Sequence, residues 1–159
     1  MKSIVVYSSQ TGNTKKLAEV ACGALPAGTQ MYTVDEAPDP SAYDFVALGY
    51  WLQGGKPDPQ SSAYLERLKG HKSIFLFATH GANPDSEHSR MAVEGARSLA
   101  RGAMVAGTFC CYGEVNPTVL EKVKAKPQPP VWLDDAPNAV GHPDQKDLES
   151  LRAALTAVL

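Results

Sequence analysis

Residues 8–14 carry the clearest chemical pattern in this chain of 159 residues. The segment reads Ser-Ser-Gln-Thr-Gly-Asn-Thr, follows an apolar run at residues 2–7, and leads into a helical pattern. In a loop between a strand and a helix, backbone amides and the positive end of the helix dipole face one point. Hydroxyl and amide side chains add further donors: Ser9, Thr11, Asn13 and Thr14. The segment therefore predicts a cradle for a phosphate group.

The same residue types also cap helices, so an ordinary helix start is an alternative for this loop. A dinucleotide-binding fold requires G-x-G-x-x-G at this place and a P-loop requires Gly-Lys-Ser/Thr, and the segment contains neither. Gly12 allows the backbone to approach a ligand closely. The loop favours a terminal phosphate that is bound without lysine or arginine.

Apolar runs alternate with helical patterns along most of the chain. Strands are predicted at residues 2–7, 31–34, 45–50, 73–79 and 104–111. Continuous apolar runs are typical of parallel strands that are covered on both faces. Helices are predicted over residues 63–69, from about residues 83–85, and after Asp144 as a cap. The alternation predicts an α/β fold of three layers, with a doubly wound, five-stranded parallel sheet in the order 2-1-3-4-5.

The chain length predicts one domain over residues 1–159, because single cores commonly hold ~100–200 residues. Residues 114–141 interrupt the alternation as an irregular excursion before the last helix. A short helix is predicted at Pro117–Lys124, and the proline-rich stretch 126–130 excludes regular strand pairing. Either an ordered excursion or a mobile loop fits this segment.

Composition excludes several classes of function. The net charge of −2 without a basic cluster argues against a nucleic-acid partner. No apolar run approaches the ~20 residues of a membrane span, and the run at residues 4–7 is too short for a signal peptide. We therefore expect no membrane partner and a cytoplasmic location. The three cysteines lack the spacing of zinc or iron–sulfur ligands, so no metal site is predicted.

Residues 7–14 resemble the phosphate loop of flavodoxins, whose pattern after the first strand is S/T-x-T-G-x-T. Residues 49–58, 83–88 and 142–144 are similar to one branch of flavodoxin-domain proteins, so the resemblance covers nearly the whole chain. It implies a flavodoxin-like fold, flavin mononucleotide (FMN) as cofactor, and electron transfer to a redox partner protein or a small substrate. Some members of this branch are encoded beside bilirubin reductases, which implies tetrapyrrole reduction as a subsidiary role.

The resemblance also implies a set of ligand residues, with no catalytic residue among them. The phosphate ligands would be Ser9, Gln10, Thr11, Gly12, Asn13 and Thr14. Trp51 would stack on the isoalloxazine ring, although core packing at a strand end is the alternative. Tyr50 is also a candidate, but strand alternation directs it and Trp51 to opposite sides.

The loop that follows the third strand is implied to hold Leu52, Gln53, Gly54 and Gly55 near the flavin. In flavodoxins a peptide of this loop flips to accept a hydrogen bond from flavin N5 on the first reduction. A glycine pair makes such a flip sterically easy, and an ordinary turn before Pro57 is the alternative.

The loop after the fourth strand holds Thr79, His80 and Gly81, where better-known flavodoxins often place a tyrosine over the second flavin face. His80 is expected to contact the ring or its pyrimidine edge, or else to be solvated. One flavin face is then expected to be open, unless Tyr112 covers it. The loops assigned to the ring carry two basic residues, Lys56 and His80, and one acidic residue, Asp58. Their charge is expected to favour the negatively charged reduced flavin.

Two other functions fit the same fold. The first is a cofactor-free regulatory or interaction module, such as a response-regulator receiver. A receiver needs an acidic cluster at the end of strand one and a phosphorylatable aspartate at the end of strand three. This chain has Ser8 and Tyr50 near those positions. The second is a stand-alone, FMN-dependent NAD(P)H or quinone reductase, which an open flavin face would suit.

Overall fold

The computed structural model describes residues 1–159 around a parallel β-sheet. Its strands are β1 (Ser3–Tyr7), β2 (Gln30–Thr33), β3 (Phe45–Gln53), β4 (Lys56–Pro57), β5 (Ile74–His80) and β6 (Val105–Tyr112). The parallel strands lie in the order β2-β1-β3-β5-β6, and β4 pairs antiparallel with the end of β3. When the long strands alone are counted, this order is the predicted 2-1-3-4-5. The predicted fold is confirmed.

The chain has five α-helices: α1 (Asn13–Ala24), α2 (Pro59–Arg67), α3 (Glu87–Leu99), α4 (Pro117–Lys124) and α5 (Gln145–Thr156). Two helix starts differ from the prediction. Asp58 caps α2, which therefore begins at Pro59 rather than at residue 63. Ser86 caps α3, so the helix begins at Glu87 and not near residues 83–85. None of the helices is long and apolar enough to cross a membrane.

The sheet has a core on each face because side chains alternate along every strand. In β3, Val46 and Leu48 face the core that also holds Leu65 of α2 and Ala96 of α3. Phe45 and Ala47 face the other core, which contains buried residues of α1 and α5. Burial of a large aliphatic or aromatic side chain contributes about 1.5–3 kcal/mol. Both faces of the central strands are therefore covered, as their continuous apolar runs predict.

The last helix begins at a capping box. The Asp144 carboxylate accepts the Asp147 amide at 3.0 Å, and the Asp147 carboxylate accepts the Asp144 amide at 2.9 Å. His142 adds a 2.6 Å contact from Nδ1 to Asp147. The prediction that Asp144 caps this helix is confirmed. Leu151 and Leu155 of this helix are fully buried.

The excursion at residues 114–141 contains α4 and a 3₁₀ helix at Val131–Ala139. Its first residue is fixed on two sides, since the Glu114 amide donates to the His142 carbonyl and the Glu114 carbonyl accepts from Asn13 Nδ2. Farther along, the Asp135 carboxylate accepts the Asn83 amide at 3.1 Å. The excursion is therefore an ordered segment, and it lies against the loops that follow β1 and β5.

Candidate functional site

Three loops meet at the carboxyl edge of the sheet. They follow β1, β3 and β5, which are neighbours in the sheet, with Tyr7 beside Gly49 and Trp51 beside Thr79. In open α/β sheets, ligands bind outside this edge at the point where the strand order reverses. That point lies between β1 and β3. The predicted site residues are distributed over these loops, and the structure shows which of them face the edge.

The start of α1 differs from the start of every other α-helix in the protein. The helices α2, α3, α4 and α5 have side-chain caps from Asp58, Ser86, Asn116 and Asp144. The α1 helix has Gly12 at the cap position and no side-chain cap. Gly12 has a φ of 93°, a left-handed conformation that glycine adopts readily.

Several backbone amides at this helix start have no acceptor within the protein. They belong to Gln10, Thr11, Asn13, Thr14 and Lys15. The Gly12 amide is the exception, since it donates to Ser9 Oγ at 3.1 Å. Free amides at a helix N-terminus, together with the helix dipole, attract an anion. The loop can thus hold a phosphate mainly through its backbone.

Besides Ser9, whose Oγ accepts the Gly12 amide, two of the predicted phosphate ligands use their side chains for contacts with other elements. Thr14 is buried and its Oγ1 lies 3.0 Å from Thr79 Oγ1, which joins α1 to β5. Asn13 Nδ2 donates to the Glu114 carbonyl at 3.0 Å, which joins α1 to the excursion. These side chains therefore position the loop while their amides stay free. Thr11 remains exposed.

A cleft of about 270 Å³ opens beside this loop. It is lined by Tyr7, Ser8, Ser9, Gly12, Lys15, Thr33, Val34, Asp35 and Gln60. Lys15 brings a positive charge that the sequence analysis did not assign to the loop. Helical side chains point toward the helix N-terminus, so a residue in the first turn reaches back over the loop. That geometry is the signal in the sequence that would have identified Lys15.

Trp51 lies within β3 rather than in a loop, because the hairpin with β4 extends the strand to Gln53. Its indole Nε1 donates to Ser8 Oγ at 3.3 Å, so the half-buried ring lies beside the phosphate loop. Its backbone amide contacts Asp58 Oδ1 at 3.3 Å, while Asp58 Oδ2 accepts the Ser61 amide. Asp58 thus joins the start of α2 to the strand that carries Trp51.

Tyr50 does not face this edge. Its side chain is 1% exposed and belongs to the core under α2 and α3, where burial raises the pKa of its hydroxyl above the ordinary range. Leu52 packs against the same core, and Gln53 is exposed. The candidate role of Tyr50 as a ring contact is therefore not supported, because strand alternation places Tyr50 opposite Trp51.

Gly54 and Gly55 form a two-residue hairpin loop between the paired residues Gln53 and Lys56. Their φ angles are 61° and 77°, and positive φ at both positions is typical of a type I′ turn. The pair is thus a tight turn at the tip of a β-hairpin. Peptide flipping at this turn stays a prediction.

His80 is buried between β5 and α3. Its Nδ1 lies 3.0 Å from the Ala82 carbonyl, and its Nε2 lies 3.0 Å from Ser89 Oγ. With the proton on Nδ1, the ring donates to the carbonyl and accepts from the serine hydroxyl. Burial lowers the pKa of His80 from 6.5 to about 4. The expectation of a solvated histidine is wrong, and both ring nitrogens have partners within the protein.

Comparison with known proteins agrees with this geometry. The family model of the flavodoxin domain matches residues 4–156. The chain belongs to the flavodoxin family. A flavodoxin-like domain-containing protein named BilS, from Clostridioides difficile (strain CD3), is 31% identical over 93% of this chain and 90% of that protein. The flavodoxin resemblance of residues 7–14 is thereby confirmed, and the match favours a flavodoxin over a receiver domain.

Solved structures share the flavodoxin fold. A short-chain flavodoxin associated with a non-canonical PDU bacterial microcompartment has a TM-score of 0.66 at 13% identity, covering 99% of this chain and 97% of that one. A flavoprotein from Lactobacillus acidophilus NCFM, in complex with FMN, has a TM-score of 0.57 at 18% identity. The match with that flavoprotein covers 69% of this chain and 92% of the other.

In this flavodoxin, the excursion at residues 114–141 covers the β5 side of the sheet edge. A Cβ atom added to Gly81 would lie 2.5 Å from Val115 Cγ2 and 3.3 Å from Trp132 Cε3. Tyr112, the predicted cover for this side, has its ring 5.6 Å from that of His142. Trp132 was not among the predicted site residues, because nothing in the sequence indicated where the excursion lies.

Proposed function

We propose that this flavodoxin binds FMN and transfers electrons to a redox partner protein or a small substrate. The observation that carries the proposal is the start of α1, where five amides are free and no side chain caps the helix. A phosphate would complete the hydrogen bonds of these amides, and the dipole of α1 favours its negative charge. The FMN complex of the L. acidophilus flavoprotein, which shares the fold, supports the choice of cofactor.

The residues present fit FMN on both sides of the phosphate loop. The five free amides of the loop would bind the phosphate, with the Lys15 ammonium nearby. Trp51 would lie against the flavin ring, since its indole already contacts Ser8 at the start of the loop. Bound FMN supplies one- and two-electron chemistry, while the protein binds and orients it.

The identity of the electron acceptor belongs to the same proposal. The similarity to BilS agrees with the flavodoxin branch for which tetrapyrrole reduction is implied, so a tetrapyrrole reductase is the partner class we favour. The alternative of a stand-alone reductase depended on an open flavin face. Trp132 lies at the β5 loop where that opening was expected, so the structure gives this alternative less support.

Titration with FMN and with riboflavin tests the phosphate role of the loop. Thr11 is exposed, so Thr11→Glu places a carboxylate beside the free amides, and Thr11→Gln is the neutral control of equal size. We expect Thr11→Glu to weaken FMN binding about tenfold or more, because repulsion in a partly desolvated site costs on the order of 1–2 kcal/mol. Riboflavin, which has no phosphate, should bind both variants equally.

Changes in the flavin absorption spectrum give both affinities. Equal weakening of the two ligands by Thr11→Glu would contradict phosphate binding at this loop. Trp51→Ala is the control for contacts with the flavin ring. FMN and riboflavin both contain this ring, so Trp51→Ala should lower both affinities to the same extent. An unchanged FMN spectrum on addition of the unmodified chain would contradict the proposed function itself.

A further inference from the structure

The two tryptophans of the chain lie at the same edge of the sheet. Trp51 lies near the end of β3, and Trp132 lies in the first turn of the 3₁₀ helix in the excursion, against Gly81. Because β3 and β5 are adjacent, with Trp51 paired to Thr79, the two indoles border neighbouring loops. One indole lies on the β1 side of the proposed flavin site and the other on the β5 side.

Packing of the core does not account for Trp132. The buried residues of its 3₁₀ helix are Ala136 and Ala139, and the indole belongs to neither core of the sheet. It stays partly exposed, beside Val131, which is 87% exposed. Large aromatic side chains outside a core and near a proposed ligand site favour a role in binding.

The position of Trp132 is set by contacts on the β5 loop. Gly81 has no side chain, and this lets the indole approach its backbone, since an added Cβ would lie 3.3 Å and 3.4 Å from ring atoms of Trp132. The hydrogen bond from the Asn83 amide to Asp135 fixes the same 3₁₀ helix one turn later. A side chain at position 81 would therefore displace Val115, whose Cγ2 would lie 2.5 Å from the added Cβ, and would press on the Trp132 ring.

We propose that Trp132 is a positioning residue that forms the β5-side wall of the flavin-ring site. This inference rests on the proposed function, because it assumes that FMN occupies the edge. The end of β5 and the residue after it offer Thr79, His80 and Gly81, and none of these presents a free aromatic face. The flat apolar indole supplies one and shields that side of the ring from water.

The contact can be observed directly by NMR with saturating FMN. Trp51→Phe keeps an aromatic ring in β3 and leaves Trp132 as the one indole, so its proton signals need no further assignment. We expect nuclear Overhauser cross-peaks between the Trp132 indole protons and the flavin ring protons. Full occupancy by FMN, shown by absorption, without such cross-peaks would overturn the proposal. No FMN binding by the unmodified chain would instead contradict the proposed function.

Affinity measurements show whether Trp132 lines the flavin site or only stabilises the fold. We expect Trp132→Ala to weaken FMN and riboflavin alike by about tenfold, and Trp132→Phe to retain most of the affinity. Gly81→Ala should weaken both ligands in the same direction, because the added methyl group displaces Val115 and presses on the indole. If Trp132→Ala lowers the melting temperature of the apoprotein and leaves both affinities unchanged, Trp132 is structural and the proposal is wrong.

Discussion

At the scale of single residues, His80 shows how tertiary packing changes the chemistry of a loop histidine. Strand alternation directs its ring toward α3, where Ser89 and the Ala82 carbonyl occupy both nitrogens. The ring is therefore neutral at pH 7 and brings no positive charge to the flavin site. Its function is to hold the loop after β5 against α3, and this positions Gly81.

The titration of His80 predicts a loss of stability in acid. The pKa is about 4 in the folded protein and 6.5 in the unfolded chain, so the unfolded chain binds more protons between these values. The stabilisation is complete above pH 6.5 and is lost as the pH falls toward 4, by about 3 kcal/mol. Below pH 4 both states are protonated and the loss from His80 stops.

Urea unfolding at several pH values between 7 and 4 measures this loss. His80→Gln should remove about 3 kcal/mol of the pH dependence of the unfolding free energy, because glutamine does not titrate. Parallel pH profiles for His80→Gln and the unmodified chain would show that His80 is not the titrating group.

At the scale of the elements, the hairpin of β3 and β4 places Trp51 at the site. The sequence pattern ends the strand at Tyr50, whereas pairing with Lys56 and Pro57 extends it to Gln53. The Asp58 amide also donates to the Trp51 carbonyl at 2.9 Å. Trp51 is therefore held as a strand residue on both its amide and its carbonyl.

The turn of this hairpin predicts a specific cost for substitution. Gly54 has a positive φ and no atom within 4 Å of an added Cβ, so Gly54→Ala meets backbone strain alone. We expect it to lower the unfolding free energy by about 1–2 kcal/mol, and Gly54→Asn to cost less, because asparagine tolerates the left-handed conformation.

The control is Gly95→Ala, in the interior of α3 with equally open surroundings and an ordinary φ. It should stabilise the protein by up to about 1 kcal/mol, because alanine is the better helix former. Urea unfolding of Gly54→Ala and Gly95→Ala measures the change in unfolding free energy for each variant. Equal effects of the same sign would contradict a type I′ turn at Gly54.

At the scale of the whole molecule, charge around the site bears on the redox potential. The net charge is −2, so the chain as a whole repels a negatively charged reduced flavin only weakly. Of the three charged groups first assigned to the ring, His80 is neutral and Asp58 is buried against two amides. Lys56, exposed in β4, remains as the positive charge nearest the hairpin tip.

We predict that Lys56→Glu lowers the potential of the second one-electron reduction of bound FMN. A reversed charge near the site disfavours the anion by about 0.5–1 kcal/mol, or about 20–40 mV. Arg152→Glu makes the same change of charge on α5 away from these loops and should leave the potential nearly unchanged. Potentiometric titration at low salt measures both, since screening is weakest there. Equal shifts for the two variants would contradict a local effect of Lys56.

The sequence by itself determined the fold and the place of the loop at residues 8–14, the candidate phosphate cradle. Apolar runs and helical spacing are local patterns, and a parallel sheet with alternating helices leaves few arrangements of the chain. The strand order 2-1-3-4-5 and the membership in the flavodoxin family follow from these patterns and from residues 7–14. The loop lies where it was predicted because it sits directly between β1 and α1.

Only the tertiary structure decided which side chains reach the site. Contacts between different elements determine this. The Thr14 hydroxyl is hydrogen-bonded to Thr79, and the His80 imidazole is hydrogen-bonded to Ser89. Trp132 reaches the β5 loop through an excursion whose irregular pattern predicts no position. Periodicity reports which face of an element is apolar, but a contact between two loops depends on where both elements lie in space.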